Sequence, residues 1–163
     1  MKIWHKVLLI TLIAAVPAFA IAPVIWPPDA HVGAPSGLQL LLFILLAALD
    51  ALTFGLGIAF ICYGLPLVRR IVDGSRARTW ITFIATAWLL ISWWPHDNMH
   101  KHNGMDLGGL LVIDYLFHVP LMLTGVALAY TLVRALQPAP ATGQESNQRI
   151  AAQRLATHGE KPR

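Results

Sequence analysis

Apolar residues fill this chain in long unbroken runs, and the polar residues are confined to short links between them and to the C-terminal stretch. The runs lie near residues 7–26, 38–67, 79–95 and 108–134. A helix needs about 20 apolar residues to cross a ~30 Å hydrocarbon layer, and the runs are about that long. The pattern predicts an all-α, polytopic membrane protein of four transmembrane helices. The third run is the shortest, and Pro95 is its expected end, because the residue before a proline is disfavoured in helical conformation. The second and fourth exceed the required length and should tilt or project beyond the bilayer.

The first run has a second reading. Lys2 and Lys6, an apolar stretch and Ala18-Phe19-Ala20 have the layout of a signal peptide with its cleavage site. The apolar character continues through Ile21 to Trp26, which favours an uncleaved first helix.

Charge orients the runs. Cytoplasmic loops of membrane proteins carry the excess of Lys and Arg. Lys2 and Lys6 precede the first run, Arg69, Arg70, Arg76 and Arg78 separate the second and third, and Arg134, Arg149, Arg154, Lys161 and Arg163 end or follow the fourth. With four crossings, eleven of the twelve basic residues share one side, and Lys101 alone lies opposite. Both termini are therefore expected in the cytoplasm, in a cell's inner membrane. Trp4 and Trp80 fall at the inner ends of their runs and Trp26, Trp93 and Trp94 at the outer ends, the levels that tryptophan prefers.

Composition agrees with the pattern. The 163 residues are 56% hydrophobic and 12% charged, and mean hydropathy is +0.61. One four-helix domain over 1–136 is expected, followed by a disordered cytoplasmic tail over 137–163 that is rich in Pro, Ala and Gln. The net charge of +4 flanks apolar runs and forms no basic face, so nucleic acid is not expected as a partner; the lipid bilayer is, and other membrane subunits are admitted. Cys62 is the single cysteine, so no disulfide forms within the chain.

The chemistry gathers on the outer side. His31, His96, His100, His102 and His118 are five of the seven histidines, and Asp29, Asp97, Asp106 and Asp114 four of the six aspartates. His96, His100 and His102 have the spacing H-x3-H-x-H. On a helix, 96 and 100 share a face; in an extended segment, 100 and 102 share a side. Gly104 and two asparagines favour a loop, which leaves both geometries reachable. Asp114 and His118 are four apart on the fourth helix and project from one face. Pro120 should bend that helix near His118, since it cannot donate to the Leu116 carbonyl.

Imidazole ligands suit zinc, copper, iron or nickel. The candidate metal ligands are His96, His100, His102, Asp114 and His118, with Asp114 as ligand or as orienter of a ligating histidine. Asp97 and Asp50 are supporting residues. Asp50 lies in the second run, where a lipid-facing carboxylate costs roughly 2.5–3.5 kcal/mol, so it should face a partner: His118 on depth, or Thr53 locally. Met99 and Met105 lean toward copper. The expected cofactor is a transition metal, copper or zinc with iron as a third choice, and the expected function is its handling or delivery.

Other readings compete. A metal-dependent enzyme acting on a lipid would need an open coordination position and a groove leading to His118. A non-catalytic accessory or pH-responsive subunit would use Asp114 and His118 as a structural or titrating pair. Ser92, four residues before His96, suggests a nucleophile and base, but a serine at the end of a membrane helix is commonplace. A bis-histidine haem inside the bilayer is disfavoured, since one histidine alone lies deep; a haem at the outer surface on His96 or His100 stays open. On the second run, Ala47, Ala51 and Gly55 repeat every fourth residue and predict close helix packing.

Overall fold

The computed structural model describes residues 2–31, 33–72, 75–104 and 106–136. The expected tail over 137–163 and the expected thioether donor Met105 lie outside them. The described residues form helices and links, with no strand among them. The helices are α1 (Ile3–Ile25), α2 (Leu38–Ile71), α3 (Arg76–Asn103), α4 (Leu107–Ile113) and α5 (Val119–Leu136), and one π-helical turn, Asp114–His118, joins α4 to α5. Three helical stretches are long and apolar enough to cross a membrane: Ile3–Ile25, Leu38–Ile71 and the continuous Leu107–Leu136. Their large apolar side chains are widely exposed, as lipid contact permits.

α3 departs from expectation at its outer end. The helix passes through Pro95 and continues to Asn103, so the segment read as a loop is helical. Proline costs a helix one hydrogen bond. Here the following turns supply others: Asn98 Nδ2 donates to the Trp94 carbonyl at 2.6 Å, and His100 meets His96 across one turn at 3.1 Å. Gly104 then ends the helix at φ +56°, a conformation that suits glycine. The link back to α4 is capped by Asp106, whose carboxylate accepts from the N–H groups of Gly108 and Gly109.

Packing follows chain order. α2 lies between α1 and α3, and α3 carries α4 and α5 on its other side. Gly55 lets α1 approach: a side chain there would run into the Thr11 carbonyl and Ala15. Ala51 joins Ala15 and Ala18 in the same seam. Gly57, half a turn round α2, makes room for α3; an added Cβ would sit 2.6 Å from Ile91 Cγ1. The expected small-residue face is thus one of two on α2. Between α3 and α5, Thr82 and Thr131 hydroxyls meet at 3.0 Å, and Trp88 stacks on Phe117. These pairs run in opposite chain directions, so α3 is antiparallel to both of its large neighbours.

One alignment matters for the site. From Lys6 to Trp26, Arg69 back to Asp50, Arg78 to His96 and Arg134 back to His118, the axial separations are ~30, ~28, ~27 and ~24 Å at 1.5 Å per residue. The polar residues of three helices therefore share one level, a membrane thickness away from the basic end.

Candidate metal centre

The helical continuation of α3 puts Ser92, His96 and His100 on one face, one turn apart. The π turn delivers His118 to that face. Pro120 has no N–H for Leu116, and the chain widens instead, with the Val119 N–H reaching the Asp114 carbonyl. The expected bend is expressed as this one wide turn. Phe117, buried within it, packs against His96 and Trp88 and fixes its rotation.

Three imidazoles meet there through the same ring nitrogen. His96 Nε2 lies 2.9 Å from His118 Nε2 and 3.1 Å from His100 Nε2. The three donor atoms all fall within 4.8 Å of one another. On its far side, His118 donates its Nδ1–H to Asp114 Oδ1 at 2.6 Å. That bond settles the tautomer: the Nε2 of a neutral His118 carries a lone pair and points at the other two rings.

Hydrogen bonds cannot satisfy this arrangement. A neutral imidazole nitrogen offers either one hydrogen or one lone pair. His96 Nε2 faces two nitrogens and can serve one of them. A single cation between the three serves all. With metal–nitrogen bonds of about 2.0–2.1 Å, two tetrahedral ligand atoms lie about 3.3 Å apart, a few tenths of an ångström wider than the contacts seen here. Seating an ion thus asks His96 to spread slightly from both neighbours, and His100 and His118, whose donor atoms lie within 4.8 Å, to close on it. His96 is buried, and its burial, with His100 and His118 beside it, holds its pKa below the ordinary 6.5. It is neutral at pH 7 and its lone pair is available. Its Nδ1 is buried and finds no partner among the described residues.

The remaining candidates are placed elsewhere. His102 is exposed and donates Nδ1–H to the Pro27 carbonyl at 2.7 Å, which ties the 27–31 link to the end of α3. Asp29 belongs to the same link; its N–H bonds the Lys101 carbonyl and its carboxylate accepts from the His31 N–H. Asp114 touches His118 alone among the three rings, as an orienter would. Asp97 ion-pairs with Lys101, whose ammonium also lies 4.7 Å over the Phe43 ring.

Asp50 requires a correction. It was expected against His118 or Thr53. It lies beside Asp97 instead, with Lys101 offsetting part of the charge. The reason is packing order: α3 stands between α2 and the π turn, so Asp50 reaches the α2 side of α3 while His118 meets the other. Thr53 is satisfied within α2 by the Leu49 carbonyl at 2.8 Å. Phe117 draws notice only in three dimensions, while Ser92 is legible in the sequence from its four-residue spacing to His96. Phe117 rotates the site, and Ser92, 1% exposed with no hydroxyl partner among the described residues, lies one turn below His96.

The centre is a three-histidine nest at one end of a set of apolar helices, with one ligand position oriented by a carboxylate and no thiolate near it. No protein-family model matches the chain, and no curated protein and no solved structure matches it, so the reading of this centre rests on its own residues.

Proposed function

We propose that this is a multi-pass membrane protein that binds a transition metal through His96, His100 and His118, for handling or delivery of the ion. Asp114 orients His118 and strengthens its Nε2 as a ligand, the part a carboxylate plays behind a metal-bound histidine. Copper or zinc fits the all-imidazole donor set, and iron is the third choice. Three neutral ligands leave the ion's charge uncompensated and a coordination position open, which suits exchange with a donor or acceptor. The observation that carries the reading is the convergence of three Nε2 atoms that hydrogen bonding alone cannot satisfy.

In the same reading the chain crosses the membrane four times, with both ends in the cytoplasm and the histidines at the outer boundary of an inner membrane. The charge asymmetry supports this, and so does the antiparallel seat of α3 between α2 and α5. If those two cross, α3 crosses with them although its outer turns are too polar for a span by composition. The ~24–28 Å from the basic end to Asp50, His96 and His118 then brings all three close to the far boundary of a ~30 Å core.

The test is metal analysis of the detergent-purified protein, followed by titration with copper(I), zinc and iron(II). Wild type should carry or take up one equivalent. His100→Ala and His118→Ala should lose it, while His102→Ala should retain it, because that ring is engaged with Pro27. A protein that is purified without metal and takes up none of the three would end the proposal.

A further inference from the structure

A groove of about 670 Å3 opens at the end of the molecule opposite the histidines. Trp4 and Val7 of α1 form one bank, and Leu56, Phe60 and Tyr63 of α2 the other, with Arg70 at the mouth. Its lining is apolar up to the arginine. From Arg70 back to Leu56 the groove runs about 21 Å along α2, at 1.5 Å per residue. That is longer than one leaflet, about half of a ~30 Å core, and shorter than the whole. An open slot of this length, apolar on both banks and ending in one cation at the surface, has the form of a single lipid tail beneath a headgroup phosphate.

The surroundings add to the charge complementarity. Lys2, Lys6 and Arg69 share the basic end with Arg70, and all four are exposed. Trp4 brings a ring N–H to the same end, where amphipathic rings favour the headgroup level. Basic pockets between membrane helices at this level suit anionic headgroups.

We infer that the α1–α2 groove is a binding site for one anionic phospholipid of the surrounding bilayer, its tail against Leu56, Phe60 and Tyr63 and its phosphate on Arg70. The site is remote from the histidines and needs no metal. Its role is to fix α1 against α2 at the basic end, where their seam of small residues gives way to the groove.

Native mass spectrometry of the full chain, released from micelles containing equimolar phosphatidylglycerol and phosphatidylcholine, reads the preference directly. Wild type should retain phosphatidylglycerol over phosphatidylcholine by about fivefold, the equivalent of ~1 kcal/mol for one basic group near an anionic surface. Arg70→Gln should bring the ratio close to one. Leu67→Trp, at an exposed residue that lines the groove, should displace the lipid whatever its headgroup. Arg134→Gln removes the same charge from α5, away from the groove, and should leave the ratio unchanged. Equal retention of the two lipids by wild type overturns the inference, as does an equal effect of Arg134→Gln and Arg70→Gln. A lipid-free dimer that Leu67→Trp dissociates overturns it too, by giving the groove to a second copy.

Discussion

His118 differs from the other two imidazoles in having a fixed partner behind it. The Asp114 bond at 2.6 Å sets its tautomer and its aim. Carboxylates in this position typically contribute 10–100-fold to metal affinity. Asp114→Asn should therefore weaken metal binding by about that range while leaving the fold intact, since Asp114 is exposed and its side chain bonds only His118 among the described residues. Isothermal titration of the variant and wild type checks this; an unchanged affinity would make Asp114 a bystander. His96 carries a different prediction. Its folded pKa is depressed below the 6.5 of the unfolded chain, burial being the first cause. The unfolded state then binds the extra proton first as pH drops. Stability is whole above about pH 6.5 and is lost below it, down through the folded pKa. The thermal midpoint of metal-free protein should hold above about pH 6.5 and fall as the pH drops below it, and His96→Gln should flatten that fall. A wild-type midpoint that holds level would count against a buried neutral His96.

Element boundaries were readable where run length alone decides them. The first, second and fourth apolar runs became helices near their expected limits because hydrocarbon thickness imposes a length that composition records. The outer third of α3 was not readable. Pro95 and the Gly and Asn that follow signal a stop, and the bonds that keep the helix going, Asn98 to Trp94 and His100 to His96, exist only once it has formed. The i,i+4 pairing of His96 and His100 was one of two open geometries; the other, His100 with His102, is lost because His102 turns to Pro27. The π turn was visible only as a proline-induced disturbance. Nothing in the sequence reveals that the extra residue in the turn rotates His118 onto the α3 face. Helix packing, by contrast, was legible at Gly55, and it supports a prediction. Gly55→Val would press against the Thr11 carbonyl and Ala15, and overpacking of this kind costs about 1–3 kcal/mol. A lowered thermal midpoint with metal binding unchanged is the expected result, because the three donor atoms come from α3 and the π turn and the α1–α2 seam supplies none of them.

At the scale of the whole molecule, the order of packing explains why Asp50 escaped prediction. Depth could be estimated from the sequence, since residues count off along each helix. The neighbour could not, because it depends on which helix stands between which. With α3 seated between α2 and the π turn, the polar level divides into a carboxylate and lysine group on one side of α3 and an imidazole nest on the other. The same seating ties the topology together. α2 ends and α3 begins at the basic end, while α3 ends and α4 begins at the histidine end. A crossing by α2 and α5 without α3 would require the chain to return through the bilayer by some path other than the helix that fills it. Cysteine labelling tests this in a Cys62→Ser background. A cysteine at His31 or Leu107 should react with an impermeant maleimide from outside the cell, and one at Lys2 or Leu136 only after the membrane is opened. Labelling of Leu107 and Leu136 from the same side would remove the fourth crossing. It would also take the metal nest away from the outer boundary, and with it exchange of the ion on that side.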